Sequence, residues 1–227
     1  MNVLAFDTAL ESCSVALQTS TGEVFCEHIQ QDRGHAEILV PKIKEIMEKA
    51  DVSFHDLNLL TTTVGPGSFT GLRIGVATAQ GYSLSTGLPL IGLTTLEMLA
   101  HSVPSQERRI IAIIDSKRGD FYYQIFDEQK IPLTQPDIIT IEQVAEKIVE
   151  KAVVLVGNGS LFIAPYLKNC NFEIYSHPID ARILIPLATQ RYREGKTLGH
   201  PNDCKPLYLR EADAVAPKAP AVRILNE

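Results

Sequence analysis

The sequence predicts an α/β protein built as two similar lobes, and three observations carry that expectation. An apolar run ending in aspartate, a short polar turn and a second strand-like run open the chain at 3–7, 8–12 and 13–17. The same order recurs about half a chain later, at 110–115, 116–120 and 121–126, with Asp115 in the place of Asp7. Helix-period and strand-like segments follow each hairpin, which is the pattern of a sheet covered by helices. Finally, 227 residues, 45% of them hydrophobic and 21% charged, are enough to fold without a metal or disulfide staple.

In the first half a third strand is expected over 23–28, led by the Thr21-Gly22 turn. A helix is expected over 35–50, where Leu39, Ile43, Ile46, Met47 and Ala50 share one face. Pro41 lies inside that pattern, so the helix starts near it or bends there. Strand 59–64 leads into Gly65-Pro66-Gly67-Ser68-Phe69-Thr70-Gly71 and a helix to about residue 85. Strand 89–93 and a short helix over 95–101, capped by Thr94 or Thr95, complete this half.

The boundary between halves is expected near 104–108. Beyond the second hairpin come a helix over 141–151 and a strand over 153–156, closed by Gly157-Asn158-Gly159-Ser160. Helices over 161–168 and 181–194 follow, the last ended by Gly195. From Ala212 the chain is rich in Ala and Pro and reads as a loosely held tail. The expected organisation is an N-terminal lobe over 1–104, a C-terminal lobe over 105–211 and a tail over 212–227.

The balance of 21 Lys and Arg against 27 Asp and Glu gives a net charge of −6. With no cluster of cations, contact with nucleic acid would need a partner to supply the positive surface. The apolar run at 110–114 is far short of the roughly 20 residues of a membrane span, and the N-terminus has no signal-like pattern. A cytoplasmic protein without membrane contact is expected. Cys13, Cys26, Cys170 and Cys204 show no C-x-x-C spacing, so buried, reduced thiols are expected. The histidines do not cluster: His35 has Leu39 at i+4, and His177 and His200 each precede Pro. No metal site is expected.

The glycine-rich block is the strongest local signal. Following a strand and opening a helix, it could offer backbone amides and the helix dipole to an anion. Named templates fail, however. A dinucleotide fingerprint needs Gly where Thr70 stands, a P-loop needs Lys after Gly71, and a nucleophile elbow around Ser68 needs Gly at 66 and 70. A tight turn with Ser68 or Thr70 capping the helix is the simpler expectation. Gly71, Gly75 and Ala79 then recur every four residues, with Gly81 soon after. Each helical glycine costs about 1 kcal/mol against Ala, so something must approach closely: the chain's own sheet or first helix, or a helix of another subunit. Asp7 and Thr8 stand where a metal-bound phosphate could sit, yet the turn over 8–12 has no glycine, and Glu11 would repel phosphate. Asp7, Thr8, Ser12, Gly67 and Ser68 therefore read as a vestigial phosphate loop, and no catalytic residue is assigned.

Taken together, Val3-Leu4-Ala5-Phe6-Asp7-Thr8-Ala9, the block from Gly65 to Gly75 and Pro206-Leu207-Tyr208-Leu209-Arg210 resemble the bacterial TsaB (YeaZ) family, in order and over nearly the whole chain. The resemblance implies a two-lobed actin/hexokinase/Hsp70-like (ribonuclease H-like) fold with a degenerate second lobe. It implies a non-catalytic dimerisation subunit for a TsaD-like catalytic protein. That pair would work with a TsaE-like ATPase to form threonylcarbamoyladenosine beside the tRNA anticodon, tRNA being reached through the complex. A metal-binding histidine pair of the catalytic relative would be broken here at His35 and Leu39. The implied partner surface lies on the first two helices, at His35, Leu39, Ile43, Ile46, Gly71, Leu72, Gly75, Val76 and Ala79, and could form a homodimer when the chain is alone. Gly75→Leu is then expected to block association and leave the fold intact. No cofactor is implied beyond weak ATP or ADP binding. The alternative is a free-standing ATP-dependent kinase or ATPase of the same superfamily, resting on the Asp7 hairpin and the 157–160 turn.

Overall fold

Five consecutive buried residues make β1 (Val3–Asp7) a strand covered on both faces. It is the centre of a mixed sheet in a computed structural model that describes residues 1–30, 34–104, 107–149, 151–176 and 180–210. Strand β1 runs antiparallel to β2 (Ser12–Gln18), and β2 antiparallel to β3 (Val24–Gln30). On its other side β1 runs parallel to β4 (Leu59–Gly65), and β4 parallel to β5 (Leu90–Thr94), giving the order β3-β2-β1-β4-β5.

The second half builds the same sheet again. Strands β6 (Arg109–Asp115), β7 (Asp120–Phe126), β8 (Asp137–Thr140), β9 (Ala152–Val156) and β10 (Asn171–Tyr175) lie in the order β10-β9-β6-β7-β8. Read from the hairpin outward, each sheet places its third, second, first, fourth and fifth strand side by side. The two-lobed architecture implied by the resemblance is thus observed, and its repeat is complete at the level of strands. The second lobe is reduced in its helices: α4 (Ile141–Lys147) has 7 residues and α5 (Ser160–Ile163) has 4.

On the first sheet, α1 (His35–Lys49) and α2 (Phe69–Thr86) cover one face, where Leu39, Ile43, Ile46, Val76 and Ala79 pack on Leu4, Phe6, Val15, Leu17 and Leu60. The opposite face holds Met98 of α3 (Thr95–Ser102) with Leu184, Ile185 and Ala188 of α6 (Leu184–Arg193), against Val3, Ala5, Ala16 and Leu59. Helix α3 also joins the lobes, because Leu96, Leu99 and Ala100 pack on Ile110, Ala112, Ile114 and Val156 of the second sheet.

Several boundaries differ from the sequence expectation. Helix α1 starts at His35 and runs through Pro41, which sits on its exposed face, where the freed carbonyl can meet water. The helix expected over 141–151 stops at Lys147, with Ile148 already extended. Pro165 breaks the one expected over 161–168 into α5 and a 3-10 turn (Ala164–Tyr166). Strands β8 and β10 are additions: both are short, partly exposed edge strands with weak alternation. The segment from Asp180 to Arg210 follows the second lobe in sequence, yet α6 packs on the first sheet. The division at 104/105 therefore does not hold for that segment. The expected tail over 212–227, His177 and part of the expected boundary lie outside the described residues. Cys13 and Cys204 are buried, but Cys26 and Cys170 are only half-buried, and all four are free thiols. Among the described residues, no helix is long and apolar enough to cross a membrane.

Candidate functional site in the interlobe cleft

The two hairpin turns face each other across a cleft of about 500 Å³. Ala9, Leu10 and Glu11 line it from the first lobe, and Ile114 to Arg118 with Asn158 from the second. The glycine-rich turn, Phe69 and the segment from Leu207 to Arg210 complete the walls.

On the first-lobe side, the head of α2 is packed against the first hairpin turn. Ser68 is the N-cap of α2, and its hydroxyl accepts from the Gly71 amide at 3.3 Å, so Ser68 and not Thr70 is the cap. The Ser68 amide donates to the Ala9 carbonyl at 2.7 Å, and the Thr8 hydroxyl donates to the Gly71 carbonyl at 2.7 Å. A Cβ at Gly67 would lie 2.4 Å from the Ala9 carbonyl oxygen, and one at Gly71 only 2.0 Å from the Thr8 carbonyl oxygen. The first hairpin turn is therefore pressed onto the N-terminus of α2, and those glycines make the approach possible. Gly75 belongs to the same contact: its Cβ would meet the Thr8 hydroxyl at 2.7 Å and the Thr62 hydroxyl at 3.2 Å.

Asp7 sits at the end of β1, buried, where Thr63 donates its hydroxyl and Ala9 its amide (3.1 Å) to one carboxylate oxygen. Burial pushes the Asp7 carboxyl above the usual carboxylate range, against the lowering pull of Thr63, the Ala9 amide, His35 and His28. His35, at the start of α1, is buried with Nε2 3.1 Å from the Leu10 carbonyl, and so ties the turn to the helix. Ser12 is buried at the start of β2. Asp7, Thr8, Gly67 and Ser68 thus come together around the first turn, while Ser12 begins β2. Glu11, expected to repel phosphate, is paired with Lys117 across the cleft.

The second-lobe side repeats the arrangement with more polar groups. Asn158 accepts the Asp115 amide at 2.9 Å, and Asp115 accepts the Lys117 amide at 2.7 Å. Gly157, at φ 107°, lets the β9 turn pass the Ile113 carbonyl, which a Cβ there would approach to 2.2 Å. The sequence does not single out Tyr122, Arg118 and Asp120 as site residues; their signal is the place of Arg118 and Asp120 in the turn that repeats 8–12, and of Tyr122 in the strand that follows it. His200 caps a 3-10 turn (Pro201–Asp203) by accepting the Asn202 amide at 3.1 Å. Among the described residues, no group of three or more His, Cys, Asp or Glu converges as a metal site would require.

The residues expected to meet a partner require a correction. His35, Leu39, Ile43, Ile46, Gly71, Leu72, Gly75, Val76 and Ala79 are all buried inside the first lobe. They form the inner faces of α1 and α2, so Gly75→Leu would drive a side chain into Thr8 and Thr62 and disturb the lobe itself. The outer face of α2 carries Thr70, Ile74, Ala77, Gly81 and Leu84, of which only Ile74 is half-buried. Leu84 is 55% exposed, and a Cβ at Gly81 would meet nothing within 4 Å. Lys49 pairs with Glu27 of β3 on one flank of α1, which leaves Val40, 48% exposed, on the flank towards α2.

Comparison with known proteins gives this arrangement a context. The family model described as TsaD: tRNA N6-adenosine threonylcarbamoyltransferase matches residues 23–188. The tRNA threonylcarbamoyladenosine biosynthesis protein TsaB of Escherichia coli (strain K12) is 31% identical over 221 residues, covering 92% of this chain and 95% of that protein. The protein of the same name from Haemophilus influenzae is 26% identical, covering 92% and 94%. Among solved structures, YeaZ from Pseudomonas aeruginosa superposes with a TM-score of 0.79 at 24% identity, over 92% of this chain and 99% of that one.

Proposed function

This chain belongs to the TsaB family of tRNA threonylcarbamoyladenosine biosynthesis proteins, and on that premise we propose that it is the non-catalytic subunit that docks and supports a TsaD-like catalytic partner. Its part in that biosynthesis rests on the relatives at 31% identity over most of the chain. The supporting role is argued from the molecule. The Thr8 and Ala9 carbonyls crowd the head of α2, where an anion would have to sit, and one oxygen of the buried Asp7 carboxylate is already bonded by Thr63 and Ala9.

The observation that carries the reading is the outer face of α2, a stripe of small and apolar residues at helical spacing, Ile74, Ala77, Gly81 and Leu84, flanked by Val40 of α1. Small residues admit a partner backbone closely, and exposed apolar groups gain by being covered. This reading keeps the partner surface on the same two helices as expected but turns it to their opposite faces, which the exposure of Ala77, Gly81, Leu84 and Val40 supports. A second copy of the chain would use the same stripe when the partner is absent. A TsaE-like ATPase and tRNA are reached through the complex, in keeping with the net charge of −6.

Gel filtration of an equimolar mixture with a TsaD-like protein tests the docking. The wild-type chain forms a stable heterodimer, while Gly81→Glu stays folded and elutes separately. A heterodimer unaffected by Gly81→Glu would refute the surface, and no heterodimer with wild-type would refute the function. Calorimetry with Mg-ATP on the chain alone distinguishes a free-standing ATP-dependent enzyme: the proposal expects at most weak ATP or ADP binding in the cleft, without turnover.

A further inference from the structure

The motif from Pro206 to Arg210 has no part in the docking surface, and its contacts give it another role. It belongs to a strap over 204–210 that is anchored to the first lobe along most of its length. Cys204 is buried, with its carbonyl accepting from the Gln80 side-chain amide at 2.8 Å. The Leu207 amide donates to the Val64 carbonyl at 2.6 Å, and the Leu207 carbonyl lies 3.0 Å from where a Cβ on Gly65 would be. Tyr208 rests on Phe69, ring centroids 5.4 Å apart, and its hydroxyl accepts from Arg73 Nε at 3.0 Å. Arg73 in turn lies over the Phe69 ring at 3.7 Å.

Two residues further on, the strap changes lobes. Arg210 forms an ion pair with Asp120, the first residue of β7, and the stretch from Leu207 to Arg210 walls the cleft. The Asp120 side chain is 5% exposed, and its other oxygen takes the Ser116 hydroxyl. A carboxylate so enclosed needs its cation, because removing one partner leaves an uncompensated charge. A second charged link across the cleft, Lys117 with Glu11, is exposed on both sides and screened by water.

We propose that the strap over 204–210 is a latch that holds the two lobes together across the mouth of the cleft, with Arg210 on Asp120 as its catch. Lifting the strap leaves Asp120 with the Ser116 hydroxyl alone, so strap release and rearrangement of the 116–120 turn occur together. Because Phe69 and Arg73 stand on α2, the latch also fixes the rim of the cleft to that helix.

Hydrogen exchange on the full chain tests this, with Arg210→Gln as the variant, since the Arg210 side chain is partly exposed and its loss leaves the lobe cores intact. Exchange is expected to rise about tenfold or more over both 204–210 and 116–121, the factor that loss of a charge-assisted hydrogen bond produces. β1 and β4 should keep their protection. The charge-swapped pair Asp120→Arg with Arg210→Asp should restore much of the protection. Wild-type rates at both segments in Arg210→Gln would overturn the proposal, and so would a rise confined to the strap, which would then be a bound tail and not a link.

Discussion

Gly71, Gly75 and Gly81 are alike in the sequence and opposite in the structure, so alanine at each is a sharp test of the packing argument. In a helix interior Gly→Ala gains about 1 kcal/mol in propensity, and at Gly81 nothing opposes that gain, because the new Cβ meets nothing within 4 Å. Gly81→Ala should therefore stabilise the chain by up to about 1 kcal/mol. At Gly75 the Cβ would lie 2.7 Å from the Thr8 hydroxyl, which is held by its own hydrogen bond to the Gly71 carbonyl at 2.7 Å. The hydroxyl must give up that bond, at about 1–3 kcal/mol for a buried group, and overpacking against Thr62 costs a further 1–3 kcal/mol or so. After the propensity gain, Gly75→Ala should cost about 1–5 kcal/mol. Gly71→Ala should cost at least as much, since its Cβ would fall 2.0 Å from a backbone oxygen that cannot rotate away. Urea unfolding followed by circular dichroism reads all three as midpoints at constant slope. If Gly75→Ala proved as stable as Gly81→Ala, the idea that these glycines admit the first hairpin turn would be wrong.

Four further outcomes follow from single groups. The folded-state pKa of Asp7 is raised by burial, so its contribution is fully present below its unfolded pKa, about 4, and is lost as pH rises through the folded value. Asp7→Asn, which keeps an acceptor for Thr63 and Ala9, should thus gain on wild-type as pH rises above about 4; an unfolding-midpoint difference independent of pH would contradict this. In a reconstituted modification assay the same variant should retain activity, whereas loss of turnover with the heterodimer intact would show that Asp7 does chemistry. Glu97 takes the Thr94 amide and hydroxyl, both at 2.9 Å, and pairs with Arg191, which also reaches the Gly92 carbonyl at 3.2 Å. Glu97→Ala should cost about 2–3 kcal/mol, a lost cap plus a charge-assisted bond, and Thr94→Ala nearer 1 kcal/mol, both read as melting temperatures.

What could be read from the chain alone follows from how each signal is written. The two hairpins were legible because a strand buried on both faces, such as β1 or β6, is a continuous apolar run, and the aspartates at their ends mark the same turn twice. The glycine block was legible as a strand-to-helix turn, since only close approach explains so many glycines. Which atoms approach was not legible, because Thr8 and Gly71 meet only through the parallel pairing of β1 with β4. The inward turn of the expected partner residues was not legible for a related reason. The apolar positions of α1, Leu39, Ile43 and Ile46, are spaced for burial and are buried in their own lobe. Around α2 nearly every position is small or apolar, so its sequence does not say which face turns outward. β8 and β10 escaped notice because edge strands this short lack a periodic signal.

The duplicated sheets make the differences between the lobes informative. Both first-strand aspartates stand at the same place, yet Asp7 is buried and bonded to Thr63 while Asp115 faces the cleft. Both lobes follow their fourth strand with a glycine turn. The first presses that turn onto Thr8 and Ala9 and continues into an 18-residue helix, while the second leaves Asn158 lining the cleft and stops after 4 residues. A ligand gripped between the lobes needs open donors on both sides; here the Ser68 amide is taken by the Ala9 carbonyl and the Gly71 amide by the Ser68 hydroxyl. In exchange it has a long, well-capped helix whose outer face is free of the site. A turn filled in this way rigidifies α2 from its first residue, because Ser68, Thr8 and Gly75 all fix the same end. A rigid helix loses little freedom when a partner covers it, so a turn packed onto the head of α2 would favour docking on the outer face proposed above.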